Sequence, residues 1–316
     1  MSMPTNTAGQ RWPTNEPKPL VSLKDHAGGV RALAFSADRG LLAVAGREGP
    51  ARLWDLNANF KELDALVPAG GRFDALVFAQ RGRLVAGASG FPEATVRIWD
   101  TSKGAPREVA DLLGVRGPLH ALAFSPDGKF LAGAGEDGAV RLWDAVATGM
   151  PFAELRGHTR PVRAVTFTPD GLGLASAADD GVRLWAVGRI RSWQRAVLTH
   201  PGAATAATFS TDGKALATGG QDGSVRLWDP ASAQLKKELR RQPTAIRLLT
   251  PAQDCATVVG VCDGTRVVHW DMASGFESRE WVLPAASAVA LTSDARYAAA
   301  GYPDGVAQVF RVAAQR

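Results

Sequence analysis

Two segments of this 316-residue chain each place a histidine, a hydroxyl and an aspartate in the order from which a base, a nucleophile and an orienting acid can be assembled. They are His158, Ser176 and Asp180, and His200, Thr218 and Asp222. A trio of this kind can take the proton from a hydroxyl and turn the oxygen on a carbonyl. A hydrolase needs one exposed nucleophile, however, and here every member recurs one sequence period further on. Periodic recurrence belongs to architecture, so the trios are read as structural and the chain as a non-enzyme without a cofactor. Metal chemistry fares no better, because the five histidines are scattered from 26 to 269 and no HExxH, CxxC or His-x-His cluster is present. The EDG, DDG and QDG segments lack the ligand spacing of a calcium loop. Glycine-rich phosphate loops between a strand and a helix are absent as well.

The elements that carry these residues follow from the same period. Trp54, Trp99, Trp143, Trp185, Trp228, Trp270 and Phe310 recur roughly every 40–45 residues. A repeat of this length is one supersecondary unit, too small to bury its apolar face alone and stable only when stacked on its neighbours. Each copy ends in a short alternation of apolar and polar residues: ARLWD, VRIWD, VRLWD, VRLWA, VRLWD, VVHWD and AQVFR. That is the pattern of a strand with one buried face, and no helical period competes with it.

With five Trp-Asp endings and stretches such as AFSPDGKFLAGAGEDGAVRLWD and TFSTDGKALATGGQDGSVRLWD, the chain resembles the WD-repeat family of β-propellers from about Leu20 to Val312. The resemblance implies an all-β, seven-bladed propeller of four-stranded antiparallel blades. In the third repeat LHALAF is the expected inner strand, KFLAGAG the second and AVRLWD the third, joined by the turns SPDG and EDG. Only RVAAQR follows Phe310, too little for an outer strand, whereas PLVSL at 19–23 precedes the first repeat without a blade of its own. The ring is therefore expected to be closed by this N-terminal strand, which removes two open edges. Residues 1–17 are expected to be a flexible tail and residues 18–316 a single propeller.

The resemblance also implies a buried tetrad of His, Ser or Thr, Asp and Trp. His200, Thr218, Asp222 and Trp228 match it completely; His158, Ser176, Asp180 and Trp185 match it with a turn one residue shorter. His26, Glu48 and Trp54 make only a partial set, because Val44 stands where the hydroxyl belongs. Arg52, Arg97, Arg141, Arg183 and Arg226, each two residues before a Trp, occupy a position commonly basic in the family and are read as structural.

Two surfaces remain as candidate binding sites. On the face where loops lead into the inner strands, the position four before the inner-strand Phe or its equivalent gives Arg31, Asp74, His120, Arg163, Thr205, Ala245 and Ser287, with Arg160 in the same loop as Arg163. Similar positions in WD-repeat propellers often contact partners; simple solvation of loop ends is the other reading. The second surface is basic. Residues 150–245 hold 13 Lys and Arg against 8 Asp and Glu, while the rest of the chain has 23 of each, so the formal net charge of +5 belongs to that sector. Arg189, Arg191 and Arg195 flank Trp193, and Lys236, Lys237, Arg240 and Arg241 follow one repeat later, all expected on outer strands of adjacent blades. Such a stripe either protects strand edges and keeps the protein soluble or receives an anionic partner with Trp193 as anchor.

No apolar run approaches the roughly 18 residues of a membrane span, and no signal-peptide core is visible. Cys255 and Cys262, seven apart with ATVVG between them, are read as reduced thiols. The expectation is thus a cytoplasmic, non-enzymatic scaffold, monomeric within a larger complex, that binds a protein or peptide on its loop face. A nucleic-acid accessory module using repeats 4 and 5 is the alternative, and an enzyme with a central-channel site the distant third, for which the sequence offers no cluster of ionisable groups.

Overall fold

A computed structural model describes residues 18–36, 40–67, 72–79, 82–89, 94–103, 105–239, 241–252, 254–263, 266–283, 286–292 and 296–311. The expected tail at 1–17 and Arg240 lie outside the described residues. Those described form 28 strands in seven four-stranded antiparallel sheets. Blade 4 shows the pattern: an inner strand Val162–Phe167, then Gly173–Ala178, Gly181–Ala186 and the outer Trp193–Leu198. Blade 1 repeats it with Val30–Phe35, Leu41–Gly46, Ala51–Asp55 and a short Lys61–Glu62. The inner strands of blades 2, 3, 5 and 6 are Ala75–Phe78, Leu119–Phe124, Ala204–Phe209 and Ile246–Pro251.

Blade 7 takes three strands from one end of the fold, Ala288–Leu291, Tyr297–Gly301 and Ala307–Arg311, and the fourth, Pro19–Leu23, from the other. The closing strand runs antiparallel, with Val21 opposite Val309 and Leu23 opposite Ala307. Closure is expected from edge chemistry, since an unpaired third strand would present a row of free N–H and C=O groups.

Second strands such as LLAVAG, FLAGAG and GLASAA are buried almost throughout and rich in Ala and Gly. Both of their faces are covered by neighbouring blades, so small side chains are what the spacing admits. At Gly133 an added Cβ would lie 2.9 Å from the Trp143 ring. Buried apolar side chains among the described residues fall into seven clusters, one for each junction between blades. The cluster joining blade 7 to blade 1 holds Leu23, Val30, Leu42, Val44, Ala299, Ala307 and Val309. The core is therefore a ring of seams. Both cysteines are free, Cys255 exposed and Cys262 buried, and burial pushes the Cys262 thiol up to about 12. No helix among the described residues is long and apolar enough to cross a membrane.

Candidate functional site

His158 lies in the loop leading into blade 4, and its ring is the middle of a relay. Trp185 Nε1–H donates to Ser176 Oγ at 2.8 Å, Ser176 Oγ is 2.7 Å from His158 Nε2, and His158 Nδ1 is 2.6 Å from Asp180 Oδ1. Indole can only donate, so the hydroxyl accepts from it and gives its own proton to Nε2, leaving Nδ1–H for the carboxylate. Burial lowers the His158 pKa by more than Asp180 raises it, which keeps the ring neutral. Burial would raise the Asp180 pKa, yet the Thr159 amide, the imidazole and Arg183 hold it below the ordinary carboxylate range. The relay ties the loop before the inner strand to the turn after the second strand, so it braces the face of the ring on which Arg160 and Arg163 stand.

Blade 5, expected to carry the complete set, is wired differently. Trp228 donates to Thr218 at 2.8 Å. His200, however, is directed to the Gly202 carbonyl at 3.3 Å and lies 3.2 Å from Arg226 Nη1. Asp222 Oδ1 instead accepts from the hydroxyl and amide of Ser224 at 2.6 and 3.1 Å. A donor two residues after the aspartate captures it locally; blade 4 has Val182 at that place and no such competitor. In blade 1, His26 Nδ1–H donates to the Gly305 carbonyl at 3.0 Å, while the buried His26 Nε2 and Trp54 Nε1 have no hydrogen-bond partner among the described residues. Val44 occupies the register position of Ser176, opposite the corresponding arginine.

At the end of the channel where these loops lie, the starts of the inner strands meet. A cavity of about 470 Å³ is lined by Arg31, Asp74, His120, Arg163, Thr205 and Arg247 together with inner-strand Ala, Leu and Val residues. Ala245 and Ser287, expected members of this ring, are not among the residues lining the cavity. In blade 6 Pro251, opposite Val258, takes the place held by Phe in most other blades, which moves the ring position to Arg247. Three basic side chains of the ring each meet a carboxylate directly after the second strand of the same blade: His120–Glu136 at 2.9 Å, Arg163–Asp179 at 3.5 Å and Arg247–Asp263 at 3.2 Å. The interval from basic residue to acid is the same in all three, a signal that was available in the sequence. Arg47 stands at the corresponding place in blade 1, and Arg31 instead reaches across to Asp74 of blade 2 at 2.6 Å, a carboxylate shared with Arg72 at 3.5 Å.

Ionisable groups thus do cluster at the channel mouth, contrary to expectation, but they are organised as ion pairs. Thr205 donates to the Ile246 and Gly219 carbonyls, and Ser287 to those of Val30 and Gly301. Each hydroxyl stitches its blade to the next one, and its proton is committed to main-chain oxygens. Arg160 is exposed on the loop before blade 4, outside the residues lining the cavity. A second cavity of about 350 Å³ opens between blades 6 and 7, lined by Arg247, Asp263, Ser287 and the apolar Val261, Ala286 and Val289.

The arginines before each Trp mostly reach an acid on their own outer strand, as in Arg97–Glu108 at 3.0 Å and Arg141–Glu154 at 2.8 Å. Arg183 finds Val197 opposite and turns to Asp180 at 3.6 Å. The basic stripe is less uniform than expected. Arg189 and Arg191 fall in the loop before the outer strand of blade 4, and Arg241 falls beyond that of blade 5, which ends at Glu238. Arg189 pairs with Asp144 at 3.0 Å, Lys236 with Asp229 at 3.6 Å and Arg241 with Asp222 at 3.9 Å, and Lys237 donates to the Ala273 carbonyl.

The WD domain, G-beta repeat model matches residues 17–55, 110–144, 149–186 and 192–229. The nuclear distribution protein nudF of Aspergillus niger is 27% identical over 257 residues, 80% of this chain and 52% of that protein. The small ribosomal subunit protein RACK1 of Schizosaccharomyces pombe is 33% identical over 125 residues, 37% of this chain and 38% of its own length. Periodic tryptophan protein 2 of Arabidopsis thaliana is 30% identical over 129 residues, 41% of this chain and 14% of that protein. The chain therefore spans about half or less of the length of these relatives. Four matched repeats set among seven four-stranded blades give this chain the repeat signature and the architecture of a WD-repeat β-propeller.

Proposed function

We propose that the chain is a non-enzymatic interaction platform that receives a protein or peptide segment across its loop face. The observation that carries this reading is the channel mouth, where Arg31, Arg163, Arg247 and His120 line one cavity and each is held in place by a carboxylate. Side chains fixed by ion pairs on a closed ring lose little freedom when a partner binds, which favours recognition. The adjoining cleft between blades 6 and 7 offers an apolar recess beside the Arg247–Asp263 pair for a partner side chain. A soluble complex in the cytoplasm is the setting this reading assumes.

Affinity capture from the native source at two salt concentrations tests it, comparing wild type with Arg31→Ala/Arg163→Ala and with Arg191→Ala/Trp193→Ala. Loss of the captured partner with the first pair alone is the expected result; retention with that pair overturns the loop-face reading. The nucleic-acid alternative rests on the concentration of net charge between residues 150 and 245. Against it, most cations of that stripe are engaged with carboxylates or carbonyls. It predicts a steep fall of affinity with salt, which a peptide in a loop pocket does not.

A further inference from the structure

From Gly181 to Thr211 the chain has no Asp or Glu, while Arg183, Arg189, Arg191 and Arg195 fall inside that span. Its outer strand Trp193–Leu198 and the closing strand Pro19–Leu23 are the outer strands without an acid; those of the other blades carry Glu62, Glu108, Glu154, Glu238 and Glu277. Leading into it is a loop fastened at its base, where the Gly188 amide donates to Ser192 Oγ at 3.2 Å and the Ser192 hydroxyl donates to the Gly188 carbonyl at 2.9 Å. Ile190, at the tip of this loop, is fully exposed. Trp193 is 52% exposed, with the Arg191 guanidinium 6.0 Å from its ring centre. Leu172 is also exposed, on the turn whose carbonyl accepts from the Val187 amide at 2.8 Å. Among the described residues no strand pairs with the outer side of Trp193–Leu198.

Edge protection accounts for arginines on an open strand but not for an isoleucine held out by a fastened loop beside an indole. Leaving such a side chain in water forgoes its burial, which a partner recovers. Arg189 is already neutralised by Asp144; Arg191 makes no ion pair among the described residues, and Arg195, exposed on the outer strand, makes none there either, though its charge acts on Asp170. We propose that the rim of blade 4 docks an extended acidic segment of another protein, with carboxylates against Arg191 and Arg195 and an apolar side chain packed on Ile190 and Trp193. Nucleic acid fits less well, because Trp193 is the one exposed ring on this rim and Arg191 covers it, whereas single-strand binders offer successive stacking surfaces along a continuous positive groove.

The test is selection of short phage-displayed peptides on the full chain at about 0.15 M salt, where long-range surface fields are screened. Recovered peptides should combine several Asp or Glu with an aromatic or aliphatic residue. Their affinity should fall by about tenfold or more in Ile190→Asp/Arg191→Glu and in Trp193→Ala, as expected for loss of an interface anchor. It should be unchanged in Arg31→Ala/Arg163→Ala, and the rim variants should melt like wild type because Ile190, Arg191 and Trp193 are exposed. Peptides without acidic enrichment, or peptides that survive the rim substitutions, overturn the proposal. So does tight binding of a single-stranded oligonucleotide that disappears with the same substitutions, which would assign the rim to nucleic acid.

Discussion

In blade 4 an unbroken chain of hydrogen bonds runs from Trp185 through Ser176 and His158 to Asp180, whereas blade 1, with His26 and Trp54 in the same places, has Val44 between them and ends in two unsatisfied ring nitrogens. The second and third strands pair in the same register in both blades, with Leu42 opposite Trp54 and Leu174 opposite Trp185. Backbone pairing and the buried seams therefore place the indole and the imidazole whether or not a hydroxyl joins them. What the relay adds is satisfaction of buried polar atoms and a brace for the loop face. Lacking it, the His26 ring hydrogen-bonds to Gly305 of blade 7, so the loop of blade 1 is tied across the closing seam.

The sharpest way to break the comparison is to make blade 4 resemble blade 1. Ser176→Val removes the hydroxyl and leaves His158 Nε2 and the Trp185 N–H without partners, so it should cost about 2–4 kcal/mol. A urea midpoint equal to wild type would show that the relay contributes nothing. The reverse change is the second test. Val44 is fully buried, and Val44→Thr puts a hydroxyl between a donor and an acceptor that both lack partners, for an expected gain of about 1 kcal/mol. A lower midpoint would mean that the hydroxyl cannot reach both rings, which lie 6.3 Å apart.

The smallest effect is one of pH. Burial lowers the pKa of His26, His158 and His200, and brings His269 from 6.5 to about 4. Unfolded imidazoles take up protons near pH 6.5 while the folded ones resist, so the stability present above that value is lost as pH falls towards about 4. Carboxylate contact raises the pKa of His158 against its burial; His269, edge-on to Trp281 with ring centres 4.7 Å apart, has no such bond among the described residues. His269→Phe should therefore flatten the midpoint-against-pH curve between about 6.5 and 4 more than His158→Gln does. Equal flattening would mean that the carboxylate in the relay makes no difference.

The tryptophan period and the strand alternation made seven repeats legible, and with the resemblance to the WD-repeat family they were enough to read the blades and the closing role of PLVSL, because both are set by backbone period and edge pairing. Side-chain wiring was less legible. His200 and Asp222 have the right spacing, but Ser224 offers the carboxylate a nearer donor, and a competition between two short bonds leaves no mark in spacing. The channel ring failed at Ala245 for a related reason: Leu249 looks like the inner-strand aromatic of blade 6, while the strand is registered two residues further on, at Pro251. The acids Glu136, Asp179 and Asp263 lay in view at a constant interval from their basic partners in the ring, yet each pair joins two loops that meet only once the blade is folded.

The clasp of blade 7 also has a schedule. Gln308 reaches Ser22 across 286 residues of chain, and Pro19–Leu23 is synthesised long before Ala307–Arg311, the strand it pairs with. At ribosomal speeds of about 5–20 residues per second, that partner arrives on the order of tens of seconds later. Six blades can stack in order as they emerge, but the seam holding Leu23, Val30 and Val309 stays wet until synthesis reaches the last repeat. For that interval PLVSL is a free strand beside a growing arc, and whatever shields it then decides whether the ring closes on itself or on a neighbour.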